Sequence, residues 1–164
     1  MSFVIEKKIF ESVKRFVNPN GAIQTVWDIY YLGLLLGFAH GSSQKINERH
    51  DFIKKFTKDY ESQQWNIITL MLVTHAENFG IKLNEREEIM SLVRKLFDSN
   101  SYSKLSENYA EISSDQKNGI DLLNDFANKG INLINDHIGF AGEPHHFLMS
   151  YYKLLKKTIS DRKL

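Results

Sequence analysis

The chain has 164 residues, the size of one domain, and 42% of them are hydrophobic, enough to form a buried core. Its 21 Lys and Arg nearly balance its 20 Asp and Glu, so the net charge of +1 excludes a histone-like protein that binds polyanions by bulk charge. The absence of Cys excludes disulfide scaffolds, zinc fingers, iron–sulfur clusters and thiol nucleophiles. We therefore expect a single helical domain over residues 1–164.

Hydrophobic residues recur with helical spacing along the first quarter of the chain. A first helix is predicted over residues 4–17, followed by a turn at residues 18–21, where the sequence is Asn-Pro-Asn-Gly. A second helix is predicted over residues 22–40, and its second half is apolar on nearly every face, which is typical of a helix buried on all sides. Gly33 and Gly37 lie one turn apart on this helix, so we expect another helix backbone to pack closely there.

The rest of the chain predicts six further helices, over residues 47–60, 63–79, 84–98, 103–112, 116–138 and 144–159. On the helix over 63–79, the residues predicted to face the core are Trp65, Ile68, Leu72, Ala76 and Phe79. No alternating run typical of a strand and no repeat of 20–50 residues is present. The predicted fold is an all-α bundle of seven or eight helices, without a sheet, around the glycine-containing central helix.

No segment of this sequence predicts membrane insertion or secretion. The first 16 residues carry charges every few positions and lack the apolar run of a signal peptide. The longest apolar run, Ile29 to Ala39, is shorter than the roughly 20 residues that a spanning helix needs. We therefore expect a soluble cytoplasmic protein that does not associate with a membrane.

Histidines are the candidates for metal binding or acid–base chemistry. No two of the six are spaced four apart on a helix, so the usual helical zinc pair is missing. His145 and His146 could join Glu143 or His137 at a metal, but nothing fixes that geometry and the favoured interpretation is a polar helix start at Pro144. The sequence contains no phosphate-binding glycine loop and no nucleophile elbow. No catalytic residue, metal ligand or cofactor is predicted.

Like charge accumulates in two basic segments. Residues 45–58 contain five Lys and Arg against two acidic residues, and residues 153–163 contain five against one. Clustered cations suit a partner protein or phosphate groups, while the alternative is an ordinary solvated helix face whose last lysines complement the helix dipole. The candidate binding residues in these segments are Lys54, Lys55, Lys58, Lys153, Lys156 and Lys157.

Two short segments resemble those of a protein family. Residues 31–41 (YLGLLLGFAHG) resemble the ALGL-x-x-G stretch of small accessory proteins encoded beside bacterial DNA-phosphorothioation (Dnd) genes. Residues 126–131 (FANKGI) resemble their YANGGL stretch, with Lys129 in place of its first glycine, and residues 67–79 are similar to their central apolar helix. The resemblance covers residues 22–138 and implies an accessory role in bacterial defence, without established catalytic residues.

Three functions remain open from the sequence. The first hypothesis is a non-enzymatic accessory subunit of a bacterial anti-phage defence or DNA-modification system, binding other protein subunits and, as a second candidate ligand, DNA. The alternative is a small helical nuclease or metal-dependent hydrolase that uses a cluster of His137, His145, His146 and Glu143. A third hypothesis is a helical protein that self-associates into a homo-oligomer.

Overall fold

The computed structural model describes residues 2–54, 56–97 and 119–162. Six α-helices form most of this part of the chain: α1 (Lys7–Phe16), α2 (Val26–His40), α3 (Gln64–Asn78), α4 (Arg86–Phe97), α5 (Gly119–His137) and α6 (Pro144–Asp161). The remaining elements are a 3-10 helix (Lys58–Gln63) and two strands, β1 (Phe3–Glu6) and β2 (Arg49–Ile53).

The fold is mostly helical, as predicted, but it includes a sheet, and the described residues form six α-helices where seven or eight were predicted for the chain. The strand β1 replaces the start of the helix predicted over residues 4–17. The strand β2 and the 3-10 helix replace the helix predicted over residues 47–60. The helix predicted over residues 103–112 lies outside the described residues.

The sheet consists of β1 and β2, which pair antiparallel from Phe3 opposite Ile53 to Glu6 opposite Arg49. All four residues of β1 are buried, so the strand has no alternation of polar and apolar positions that would distinguish it from a helix. The prediction of a helix at this position was wrong because short, fully buried strands carry no periodic signal.

Asn124 of α5 fixes β1 to the helices. Its Oδ1 accepts hydrogen bonds from the Val4 backbone N–H at 3.1 Å and from the Tyr30 hydroxyl at 2.9 Å, and its Nδ2 donates to the Ser2 carbonyl at 3.1 Å. The Asn124 side chain is fully buried, where an unpaired amide would be costly. These three bonds therefore join the start of the chain, α2 and α5 in one polar contact.

The predicted central helix is confirmed as α2. A Cβ atom at Gly37 would lie 2.1 Å from the carbonyl oxygen of Phe126, and one at Gly33 would lie 2.9 Å from that of Ala127. Both glycines therefore face α5 at backbone contact, as their spacing predicts. Large side chains of α2, among them Trp27, are also buried.

Helix ends coincide with residues suited to capping. α2 begins at a capping box, in which the Thr25 hydroxyl accepts from the Asp28 N–H while the Asp28 carboxylate accepts from the Thr25 N–H at 2.8 Å. It ends at Gly41, whose φ of 77° lies in the left-handed region. Pro144 occupies the first turn of α6, where its missing N–H costs no helical hydrogen bond.

The buried face of α3 matches the predicted one only in part. The structure buries the predicted Ala76 together with Ile67, Met71 and Thr74, whereas Trp65 is 73% exposed and Phe79 is 63% exposed. Both aromatic residues were predicted to face the core. The prediction was wrong because α3 has apolar residues around its whole circumference, so spacing alone does not decide which side packs inward.

Candidate functional site

A cleft of about 330 Å³ opens between the C-terminal parts of α2, α5 and α6. Its walls combine two leucines with four basic side chains, which are Leu133, Leu154, His40, His137, Lys157 and Arg162. Thr158 and Asp161 of α6 also line it. A volume of this size lies at the lower end of the range for small-molecule sites, and the mixture of apolar walls with a few polar groups is typical of them.

Arg162 ties the ends of three helices together at this cleft. Its Nη1 donates to the carbonyl oxygen of Phe38 in the last turn of α2 at 2.6 Å, and its Nη2 donates to Glu77 Oε2 near the end of α3 at 2.5 Å. The carbonyl end of a helix carries partial negative charge that attracts a cation. Arg162 lines the cleft while its guanidinium stays partly accessible, with 23% of its side chain exposed.

His40, the last residue of α2, is partly buried and lies near the cations Lys129 and Arg162. Its Nδ1 is 2.8 Å from the Ser42 hydroxyl. Partial burial lowers the pKa of His40 below the ordinary histidine value, and the neighbouring cations Lys129 and Arg162 lower it further. The lowered pKa favours the neutral imidazole, and an anion placed beside it would favour its protonation.

The cleft includes one of the six lysines that the sequence predicts as binding residues. That residue is Lys157, while Lys153 and Lys156 are exposed elsewhere on α6. Lys54 and Lys58 are exposed next to β2 and in the 3-10 helix, and Lys55 lies outside the described residues. The two basic segments thus occupy different elements.

Sequence reasoning missed the grouping of His40, His137 and Arg162 with Lys157. The available signal was a basic residue at or near the C-terminal end of three separate helices. That pattern is common because cations complement helix dipoles. It did not indicate that the three helix ends meet, which is a property of the tertiary packing.

The metal-dependent hydrolase hypothesis needs His137, His145, His146 and Glu143 close together. His137 lines the cleft at the end of α5, whereas His145 and His146 are exposed in the first turn of α6 with ring centroids 6.1 Å apart. Within residues 2–54, 56–97 and 119–162, no group of three or more His, Asp or Glu side chains is arranged to hold a metal ion. The described residues therefore contain no assembled site for that alternative.

A second surface is apolar. We define the α3 surface as the large exposed side chains of α3 and of the turn after it, which are Trp65, Leu70, Phe79 and Leu83, each at least 43% exposed. Single exposed apolar residues are common, whereas a contiguous exposed patch marks an interaction site. Leu70 and Phe79, nine positions apart, lie on opposite sides of a helix, so Trp65, the most exposed of the four, is the centre of this candidate surface. Between residues 58 and 88 the chain also carries six Asp and Glu against three Lys and Arg, all of them exposed. The α3 surface is thus apolar. We call the exposed Asp and Glu residues next to it in the sequence its acidic surround.

Comparison with protein-family models, with curated proteins and with solved structures finds no match to this chain. Among the helices of the described ranges, none has the length and apolar character required to cross a bilayer. The chemistry of the cleft and of the α3 surface is therefore the basis for inferring function.

Proposed function

We propose that this protein is a non-enzymatic helical accessory subunit of a bacterial anti-phage defence or DNA-modification complex, and that it binds another protein subunit through the α3 surface. The observation that carries the proposal is the 73% exposure of Trp65 on a helix that is apolar around its circumference. Such a helix is normally buried on all sides, and tryptophan is among the side chains that contribute most to binding energy at interfaces. The setting in a defence complex rests on the resemblance of residues 31–41 and 126–131 to the Dnd-associated proteins.

The acidic surround of the α3 surface specifies the chemistry of the partner. Asp59 and Glu61 are exposed just before α3, and Glu85, Glu87 and Glu88 are exposed just after it. Complementary charge steers association and sets the register of an interface. We expect the partner to present an amphipathic helix whose apolar side is flanked by Lys and Arg, which is a recurrent mode of recognition.

The proposal is tested with Trp65→Ala and a matched control, Tyr152→Ala. Tyr152 is an aromatic residue of similar exposure, 59%, but it lies on α6 instead of α3. The proteins encoded by neighbouring genes are purified singly, and their binding to wild-type protein and to both variants is measured by isothermal titration calorimetry. Trp65→Ala should raise Kd at least tenfold, the effect of losing an interface hot spot of about 1.4 kcal/mol or more, whereas Tyr152→Ala should leave Kd unchanged.

Two further measurements separate binding from folding. Because both aromatic side chains are mostly exposed, each variant should melt within a few degrees of the wild type. Raising the salt concentration should weaken binding, since the acidic surround contributes by Coulombic attraction. Unchanged affinity of Trp65→Ala, or equal losses in the two variants, would show that the α3 surface is not the binding site.

A further inference from the structure

We propose that the cleft between α2, α5 and α6 binds a small phosphorylated molecule, with its phosphate group at Lys157 and its apolar part against Leu133 and Leu154. This site is separate from the α3 surface and does not depend on the function proposed for that surface. The ligand class follows from the donors in the cleft, the balance of charge around it and its size.

The cleft offers several donors to an anion. Lys157 of α6 contributes an exposed ammonium group, and His137 is an exposed histidine at the end of α5. A guanidinium has five N–H donors, and Arg162 uses two of its groups on the Phe38 carbonyl and on Glu77. Arginine and lysine are the side chains that most often bind phosphate oxygens. Because Lys157 of α6 and His137 of α5 line the same cleft, a phosphate group bound there can accept hydrogen bonds from two helices.

Positive charge exceeds negative charge around the cleft. Lys157, Arg162 and the neighbouring Lys129 contribute three positive charges, against two negative charges from Asp161 and Glu77. The cations Lys129 and Arg162 both disfavour protonation of His40 at the end of α2. A bound dianion would oppose this effect and favour protonation of His40, which would increase the attraction.

The size and walls of the cleft favour a small ligand over a duplex. Its volume of about 330 Å³ fits part or all of a molecule of mononucleotide size, while a DNA helix could contact only the rim. Leu133 and Leu154 provide an apolar wall beside the basic groups, which suits the ring system of a phosphorylated metabolite. A surface for duplex phosphates would instead need cations spread along an exposed face.

The test is a titration of the full-length protein with AMP, with adenosine and with inorganic phosphate. Isothermal titration calorimetry measures each Kd, and the NMR signals of the histidine rings report where the ligand binds. AMP should bind more tightly than either adenosine or phosphate, and the ring signals of His40 and His137 should shift as it binds. Lys157→Gln should weaken AMP binding at least tenfold. The matched control is Lys156→Gln, which removes the adjacent exposed lysine on the same helix without touching the cleft and should change Kd less than twofold.

Several outcomes would overturn the proposal. One is the absence of binding by both AMP and phosphate at millimolar concentration. Another is an equal loss of AMP affinity in Lys157→Gln and Lys156→Gln. A third is that the ring signals of His40 and His137 do not move when AMP is added. Binding of a short DNA duplex that depends on Lys157, without any binding of AMP, would also overturn it and would assign the lysine to nucleic acid. Since Lys157 is exposed, its replacement should not change thermal stability, and a melting curve checks this.

Discussion

A Cβ atom at Gly130 of α5 would lie 1.9 Å from the carbonyl oxygen of Gly33 in α2, so the two helices cross at backbone contact. A glycine in a helix interior costs about 1 kcal/mol relative to alanine. The close crossing offsets this cost, because it lets the side chains around it, such as Phe126 and Ile131, become fully buried. The core of the protein is built around this contact.

Replacing Gly130 by alanine should destabilise the protein by about 1–3 kcal/mol, because the new methyl group meets backbone atoms that cannot move independently. The loss should occur despite the better helix propensity of alanine. Urea denaturation measures it, with Gly21→Ala as the control, since a Cβ at that surface turn would lie 3.3 Å from its nearest neighbour in Asn18. A Gly130→Ala variant as stable as the wild type would contradict the close crossing.

Two substitutions at Asn124 should separate the effect of lost hydrogen bonds on folding stability from the effect of a buried charge. Asn124→Ala leaves the Val4 N–H and the Tyr30 hydroxyl without their acceptor and should cost about 1–3 kcal/mol or more, with little dependence on pH. Asn124→Asp keeps the acceptor but places a carboxyl in a fully buried position, which raises its pKa above that of the unfolded chain.

The sign of the pH dependence follows from that raised pKa. The folded Asn124→Asp variant binds a proton that the unfolded chain releases, so its stability should fall as pH rises from the ordinary carboxyl range through the folded-state pKa. Denaturation at pH 5 and at pH 7 measures this, and the variant should be closer to the wild type at pH 5. A larger loss at pH 5 would show that the carboxyl is ionised and stabilised at this position.

The lowered pKa of His40 should appear directly in an NMR titration. Since cations contribute to lowering it, Lys129→Gln should move the pKa of His40 upward, toward the ordinary value near 6.5. Stability linked to His40 is fully present above about pH 6.5 and is lost as pH falls through the lower folded-state pKa, because the unfolded chain binds the proton more readily. His40→Gln should therefore reduce the loss of melting temperature between pH 7 and pH 5, and an unchanged loss would contradict this assignment.

The two basic segments provide a test of DNA binding. The double variant Lys54→Glu, Lys153→Glu reverses one exposed lysine in each segment. If both lysines contact duplex phosphates, the slope of log affinity against log salt should decrease by about 1.8 or more, at about 0.9 per neutralised phosphate, and thermal stability should not change. Fluorescence anisotropy with a labelled duplex measures the slope, and an identical slope in the two proteins would exclude these lysines from a DNA interface.

The sequence predicts the local features well because these depend on neighbouring residues. A glycine followed by an apolar residue at the end of a helical pattern, as at Gly80 and Ile81, predicts a left-handed helix end. Its φ of 70° and the hydrogen bond from the Ile81 N–H to the Ala76 carbonyl confirm this. Pro144 starts α6 as expected. The pair Gly33 and Gly37 also carried a correct tertiary prediction, because two glycines on one face of an apolar helix leave room for a second backbone.

The features that the sequence alone did not determine depend on contacts between distant parts of the chain. Residues 3–6 form a strand because β2 and Asn124 supply hydrogen-bond partners from about 45 and 120 positions away, information that four buried residues do not contain. Spacing placed Trp65 and Phe79 of α3 in the core, and both are exposed, because apolar residues lie around the whole helix and do not identify its inward side. The cleft lies where the C-terminal parts of α2, α5 and α6 meet, and Arg162 joins the end of α6 to Phe38 of α2 and to Glu77 of α3. The sequence by itself thus determined where most of the chain is helical and where most helices end, and only the tertiary packing decided which of its charged and aromatic side chains share a surface.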